Sequence, residues 1–582
     1  MQRTIFSQRY FTFPDAVILG LLAIILYGVV AIGREGRADF HPITQIDLSV
    51  SALPYYTLLS GIRGAVAYII SLGFTLIVGY AAAKSRAAEK VIIPLLDILQ
   101  SIPVLGFLPG LLLGLVAVFP DTNTGLELAA IIMIFTGQVW NLTFSYYSSL
   151  KSIPLDLQEA STVMGLGWKE KLIKLELPFS GVNLVWNSLL SMAGGWFFLI
   201  PCEAMTLGDR EYRLPGIGAY MDVAVKQGDV QAIVSAVIAM VLLIVIMDFF
   251  IWRPILSWVQ KFRLEQSTSS QVSEPLMQLW IRESKIVRAI KIFYRHSMLK
   301  NRNKFSHLKR KESSFFRVTR TKNERGRKIR SDRWIRLVEA ILVVSVILLG
   351  GYGVFKLFTL LRQVTFVTWL MLLRNTFWTF IRVFLALLIS TLWAVPVGIW
   401  IGTSPKRIRF AQPIIQVLAS FPAPMLYPIA LGAFFALKMS FDWAAMFLML
   451  LGVQWYVLFN VLAGALRIPL ELNYALALMK ASRWDRWKTL YLPSVFPALV
   501  TGWVTAAGGA WNASVVAEYI FFRGSILKTG GLGATLSVAT ASGDFTLFAA
   551  SLTLMVVFVI FLNRFVWARI YHLAQTRFRM DA

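Results

Sequence analysis

Few side chains in this sequence are placed to do chemistry. It has four histidines, His41, His296, His307 and His572, and one cysteine, Cys202. No pair of these has a metal-ligand spacing, and a lone thiol forms neither an intrachain disulfide nor a thiolate cluster. No Gly-x4-Gly-Lys-Ser/Thr phosphate loop occurs. What stands out instead is a polar segment, Leu157-Gln158-Glu159-Ala160-Ser161-Thr162-Val163-Met164-Gly165, followed after nine residues by Leu175-Glu176-Leu177-Pro178. Pro154 and Pro178 bracket it, and proline suits helix starts and stops. The pattern predicts a short helix, a break at Gly165-Leu166-Gly167, and a second amphipathic stretch carrying Lys169, Lys171 and Lys174. Small Ala160 and Ser161 would let another surface approach closely, and Glu159 would give it a charged anchor. Such a knob is built to be held by something else. A weaker copy follows later in the chain, with Tyr474-Ala475-Leu476, Lys480 and Leu490-x-Leu492-Pro493 in the matching places.

The elements that position these knobs must lie in a membrane. Of 582 residues, 57% are hydrophobic and 15% charged, against roughly 45–50% and about 25% in soluble domains. Uncharged stretches run over 16–32, 64–83, 128–148, 179–202, 383–403, 410–437, 443–466 and 494–517. Shorter or interrupted ones cover 91–118, 230–247, 340–355 and 545–562. Each suits one crossing of a bilayer core about 30 Å thick, which predicts twelve spans. The first follows Arg3 and Arg9 but lacks a small-residue cleavage site, so it reads as a retained helix. The net charge of +26 is uneven: residues 253–336 hold 23 Lys+Arg and 6 Asp+Glu. Basic residues gather on the cytoplasmic side of membrane proteins, which explains the excess better than nucleic-acid binding does. That rule puts the basic segment and, with six spans on either side of it, both termini in the cytoplasm.

The chain is also a duplication. At an offset of 315, Trp140 meets Trp455, Ile153-Pro154-Leu155 meets Ile468-Pro469-Leu470, Trp196 meets Trp511, and Glu203 meets Glu518. Gly228-Asp229 meets Gly543-Asp544 and Trp252 meets Trp567. Upstream the offset is 319: Arg63 meets Arg382, and Ser101-x-Pro103 meets Ser420-x-Pro422. The expected architecture is all-α and membrane-integral, with about twelve transmembrane helices as two parallel six-helix repeats and cytoplasmic coupling helices. Its parts are a first half over 1–252, a basic linker over 253–335 and a second half over 336–582. An axis along the membrane normal relates such halves and leaves a central seam.

The knob resembles the Glu-Ala-Ala-x3-Gly-x9-Ile-x-Leu-Pro loop of bacterial ATP-binding-cassette importer permeases, with Ser161 and Leu175 as mild substitutions. Ala507-Gly508-Gly509-Ala510-Trp511, Val516-Ala517-Glu518 and Gly531-Leu532-Gly533 are similar to the nitrate, taurine and sulfonate group within that family. The usual permease of that group is one half acting as a homodimer, so this chain resembles a fused dimer. The resemblance implies a multi-pass protein of the bacterial inner membrane that is not itself an enzyme and binds no cofactor. ATP would be hydrolysed on two separate cassette subunits at the cytoplasmic face. A periplasmic binding protein would deliver a small polar solute, such as nitrate, a sulfonate or taurine. The halves would then rock in alternating access. Membrane lipid is the remaining partner, and nucleic acid is not expected. The coupling residues would be Glu159, Ala160, Ser161, Gly165, Leu177 and Pro178 in the first half. In the second they would be Tyr474, Ala475, Leu476, Lys480, Leu492 and Pro493.

Candidate pathway residues are those that recur within spans. They are Trp140, Trp196, Trp455 and Trp511; Glu203 and Glu518 at the outward ends of span five; and Ser101, Pro103, Ser420 and Pro422, where proline should break a helix inside the membrane. For the tryptophans the ordinary alternative is packing, and for the glutamates a solvated helix end. Asp97, seven residues past Lys90, would snorkel to the cytoplasm, and its counterpart Gln416 argues against a proton relay. Leu276–Leu299 reads as a basic amphipathic helix on the membrane surface and 300–334 as unstructured. A twelve-span secondary transporter would need coupling-ion carboxylates inside the spans, which are nearly absent. An integral membrane enzyme would need clustered His, Asp or Glu at one face.

Overall fold

In the computed structural model the described residues are 13–262, 348 and 350–577. Leu276–Leu299, residues 300–334 and part of the stretch 340–355 lie outside them. The chain divides into two compact units, residues 1–25 with 271–363 and residues 26–270 with 364–582. The larger unit holds the matched parts of both sequence repeats.

The described helices of the first repeat are α1 (Phe13–Arg37), α2 (Val50–Lys84), α3 (Arg86–Ser101), α4 (Val104–Val118), α5 (Thr124–Lys151), α6 (Leu155–Val163), α7 (Leu177–Phe197), α8 (Leu199–Glu203), α9 (Ile217–Gln227) and α10 (Val230–Val259). The second repeats this order as α11 (Phe366–Gly402), α12 (Lys406–Ser420), α13 (Ala423–Ala436), α14 (Phe441–Leu466), α15 (Leu470–Leu478), α16 (Arg483–Ala517), α17 (Leu532–Ser542) and α18 (Phe545–Ala574). The protein is an all-α membrane protein of roughly twelve helices. Among the described residues eight helices are long and apolar enough to cross a bilayer, or ten if each bent pair counts as one.

Two corrections to the sequence reading concern where spans begin and bend. The stretches 64–83 and 383–403 belong to helices α2 and α11, which extend well before them and carry Arg63 and Arg382 inside. The stretches 91–118 and 410–437 are each two limbs, bent by 97° between α3 and α4 and by 88° between α12 and α13. Proline causes the bend. Ile102 and Phe421 precede Pro103 and Pro422, and the proline ring pushes them to extended backbone, with ψ of 122° and 131°.

The repeat extends to fine detail. One-turn π-helical bulges occur at Leu172–Glu176 and Trp487–Tyr491, and again at Asp248–Trp252 and Asn563–Trp567. Gly228 and Gly543 end α9 and α17 with φ of 70° and 68°, a left-handed conformation that glycine adopts without strain. The following Asp229 and Asp544 cap α10 and α18 by accepting from Ala232 N at 3.0 Å and Leu547 N at 2.9 Å. Each repeat also has a hairpin that sequence reading missed: β1 (Ala204–Leu207) with β2 (Arg210–Arg213), and β3 (Tyr519–Phe522) with β4 (Ser525–Lys528). The first hairpin reaches the other half, where Gly208 N donates to Thr540 O at 3.1 Å.

Helix α2 packs on α5 and α11 on α14, and these pack in turn on α7 and α16. The halves interlock through their bent limbs. Helix α12 lies against α7 and α10 of the first half, and α3 lies against α18 of the second. Met425 and Phe421 of the second half join the hydrophobic core of the first.

Candidate functional site

Each half is clasped at one end by a buried arginine. Arg63 on α2 is fully buried and donates from Nε and Nη2 to both Glu127 oxygens at 2.7 Å. Its Nη1 donates to Glu203 Oε1 at 2.7 Å and to Pro215 O at 2.8 Å. Glu203 also accepts from Ser60 Oγ at 2.6 Å and Gly218 N at 2.7 Å. In the second half Arg382 donates to Glu518 and Asp442 at 2.9 Å, and Thr379 Oγ1 and Ala534 N also donate to Glu518. A Cβ on Gly216 or Gly531 would sit 2.2 or 2.1 Å from the glutamate, so only glycine fits there. Glu203 and Glu518 are 0% exposed. The alternative of a solvated helix end therefore does not hold, and both carboxylates are committed to arginine. Arg63 and Glu127 were missed as partners because each sits at the edge of an apolar stretch, where a charge looks like loop. The recurrence of Arg63 at Arg382 was the available signal.

Between the halves lies a cavity of about 110 Å³. Thr136, Gly137 and Trp140 of α5 line it from one side, and Gly452, Val453 and Tyr456 of α14 from the other. Gly194 and Gly509, matched positions on α7 and α16, complete the wall with Gln100 and Asn512. The glycines are what make room: a Cβ on Gly194 would lie 2.8 Å from Gly137 O, and one on Gly452 would lie 2.7 Å from the Phe197 ring. Asn512 Oδ1 accepts from Val104 N at 2.9 Å, which ties the broken limb of one half to the other. The lining is neutral, with amide, hydroxyl and indole groups.

Of the four recurring tryptophans only Trp140 lines this cavity. Trp196 is 2% exposed and pressed on Gly64, where a Cβ would be 2.5 Å from its ring. Trp511 is packed edge-on to Phe558 at 5.4 Å, and Trp455 to Trp393 at 6.2 Å. Pro103 and Pro422 are buried at the two bends, Ser101 Oγ donates to Asp97 O at 2.8 Å, and Ser420 lies at the seam between α12 and α10. Asp97 accepts from Gln100 Nε2 at 2.8 Å and lines a cleft between the halves. It therefore faces the seam between the halves.

The two knobs are α6 and α15 with the turns that follow. Gly165 takes φ 65° and Lys480, in the same place, φ 52°. The hydrogen bonds match: Leu166 N to Ser161 O at 3.1 Å, and Ala481 N to Leu476 O at 3.0 Å. The helix break thus survives the loss of glycine, at the cost of a lysine in the left-handed region. Glu159, Ala160, Tyr474, Ala475 and Lys480 are exposed, while Leu476 is half-buried. Ser161 is not a contact surface, since it is 5% exposed and its Oγ donates to Gln158 O at 2.6 Å. Leu177-Pro178 open α7, and Leu492-Pro493 stand in the matching place inside α16, each directly after a π-helical bulge. Beneath the first knob, buried Glu176 accepts from Lys84 Nζ at 2.5 Å; Tyr491 takes its place in the second half and donates to Asn473 at 2.9 Å. Among the described residues no group of three His, Cys, Asp or Glu side chains is placed to hold a metal ion.

Two equivalent helical halves, interlocked across a membrane and enclosing a shared neutral cavity, define a multi-pass permease-type protein. The chain belongs to the family of binding-protein-dependent transport system inner membrane components, whose profile matches residues 73–251 and again 394–579. It is similar to a nitrate import permease of Leptolyngbya laminosa, 32% identical over 152 residues, covering 26% of this chain and 50% of that one. A bicarbonate transport system permease of Synechococcus elongatus is 27% identical over 132 residues, 23% of this chain and 46% of that one. A putative aliphatic sulfonates transport permease of Bacillus subtilis is 24% identical over 144 residues, 25% and 49%. The chain spans about half the length of the curated relatives it matches. The family and these relatives are transport permeases, not enzymes.

Proposed function

We propose that this chain is the complete pair of permease halves of an ATP-driven importer for a small solute, most simply an inorganic or sulfonate anion. The observation that carries this reading is the pair of exposed knobs, α6 and α15, at matched positions around one shared cavity. Their exposed apolar tips, with Val163 and Met164 at 89% and 75% and Leu478 and Met479 at 85% and 77%, are surfaces for two ATPase subunits. ATP binds to those subunits, and this chain needs no cofactor of its own. A binding protein delivers solute to the opposite face, where the two hairpins lie. In this arrangement the halves are residues 1–252 and 336–582. The basic linker over 253–335 and both termini are cytoplasmic, on the same side as the knobs.

The neutral cavity suits a weakly hydrated solute held by hydroxyl, amide and indole donors, and the similarity to nitrate, bicarbonate and sulfonate permeases supports that class. Glu159 of α6 is exposed and forms no ion pair among the described residues, which suits it as the charged anchor of the first knob. The test is uptake of nitrate, bicarbonate and ethanesulfonate into vesicles containing the chain, ATPase subunits and a binding protein. Uptake that needs ATP hydrolysis and the binding protein is the expected result. Uptake driven by an ion gradient without ATP would instead make this a secondary transporter.

A further inference from the structure

The two seams between the halves are built from matched residues, yet they differ. At the first seam α12 meets α7 and α10. Gln416 Nε2 donates to Asp248 Oδ1 at 2.5 Å, and Arg253 Nε donates to Asp248 Oδ2 at 2.7 Å. Space of only about 10 Å³ is left beside this contact. At the second seam α3 meets α16 and α18, and the acid and the amide have changed sides. Asp97 stands at the place of Gln416, and Asn563 at the place of Asp248. No hydrogen bond joins Asp97 to Asn563 among the described residues, and Asp97 turns to Gln100 of its own helix. A cleft of about 560 Å³ opens there.

The wall residues have diverged in the same direction. Thr501, Thr505 and Arg564 line the open cleft. The matched residues of the first half are Trp186, Leu190 and Phe249. At these three positions the second half is hydroxylated and cationic and the first half aromatic and aliphatic, while the polar groups of the first seam are bound to one another through Asp248. Arg564 has no carboxylate within ion-pairing distance among the described residues, unlike Arg63 and Arg382. Arg564 is exposed in the cleft, just past the apolar stretch 545–562, where an unpaired cation is free to meet an anion. Gln100 lines both this cleft and the central cavity, so the two spaces meet at this side chain.

We propose that solute leaves the central cavity through this seam alone, past Gln100 and along Thr505 and Thr501, with Arg564 drawing an anion through. The first seam, latched by Asp248 and Gln416, acts as the hinge side and stays dry. The anionic character of the solute rests on the function proposed above; the one-sided route rests on the seams themselves.

Cys202 is the chain's one cysteine and is buried, so single cysteines can be placed with little background. Thr505→Cys and its matched partner Leu190→Cys are exposed to 2-sulfonatoethyl methanethiosulfonate, a small anionic thiol reagent, in membrane vesicles with the knob face outward. Thr505→Cys should react at least about tenfold faster, and adding Arg564→Gln should slow that anionic reagent about tenfold while sparing a cationic one. Modified Thr505→Cys should lose ATP-driven nitrate uptake, while Leu190→Cys treated alike keeps it. Equal reaction rates at the two positions would overturn the route, as would full modification of Thr505→Cys with uptake intact. A cleft filled by lipid chains would show as no reaction at Thr505→Cys and overturns it too. Absence of ATP-driven uptake by the unsubstituted chain would count against the proposed function, and the ratio of labelling rates would still judge the route.

Discussion

Arg63 and Arg382 do the same job in unequal surroundings. Glu127 is buried with Arg63, whereas the side chain of Asp442 is 66% exposed beside Arg382. Removing one partner of a buried pair leaves an unpaired charge and costs about 3–5 kcal/mol, while an exposed pair contributes about 0–1 kcal/mol. Glu127→Gln should therefore lower unfolding stability in mild detergent several times more than Asp442→Asn; equal losses would mean that Asp442 is desolvated in the membrane. At the knobs, Glu159→Ala should uncouple ATP hydrolysis from uptake more strongly than Tyr474→Ala, because a charged anchor left unpaired costs more than an aromatic lost at a rim. Measured as ATP hydrolysed per solute imported, the reverse order would refute that asymmetry. The sequence pointed to these knob residues because residue type and spacing are local. It did not reveal the clasps, because Arg63, Glu127 and Glu203 are far apart in the chain and only helix packing brings them together. The facing of Ser161 was not legible for a related reason: a small residue on a short helix can face either way, and its hydroxyl turns to its own backbone.

The elements were legible wherever a covalent property forces the geometry. Proline at 103 and 422 foretold the bends; Gly228-Asp229 and Gly543-Asp544 stood out only as a repeat, and the structure shows each to be a helix end followed by the next helix start. The π-helical bulges carry no sequence signature of their own, and the hairpins are only four residues per strand, so neither was visible. Lys480 shows that a missing glycine does not abolish a turn. A non-glycine residue at φ 52° costs about 1 kcal/mol, so Lys480→Gly should stabilise α15 by about that much, read as slower hydrogen exchange in its last turn. Gly165→Pro should do the opposite to α6, since proline is locked near φ −65° and cannot adopt 65°. Unchanged exchange in both variants would mean that these turns are set by tertiary packing and not by local backbone preference.

At the scale of the whole molecule the duplication was readable from offsets of 315 and 319, and its parallel sense was expected from six spans in each half. The difference between the seams was not, because it depends on which matched positions face each other across the halves. The proposed topology places Arg310 in the cytoplasm; a cysteine there should stay unlabelled by a membrane-impermeant reagent in intact cells and react after lysis. Labelling from outside would invert the whole arrangement. The exchange of acid and amide between Asp97–Asn563 and Asp248–Gln416 has a genetic consequence. In a homodimer every substitution enters both seams at once, so a change that helps one route must be tolerated in the other. Covalent joining removes that constraint, and each seam can drift alone. The pair Asp97→Gln with Asn563→Asp would give the second seam the same amide and acid as the first, and comparing it with the natural chain asks directly whether latching both seams closes the exit.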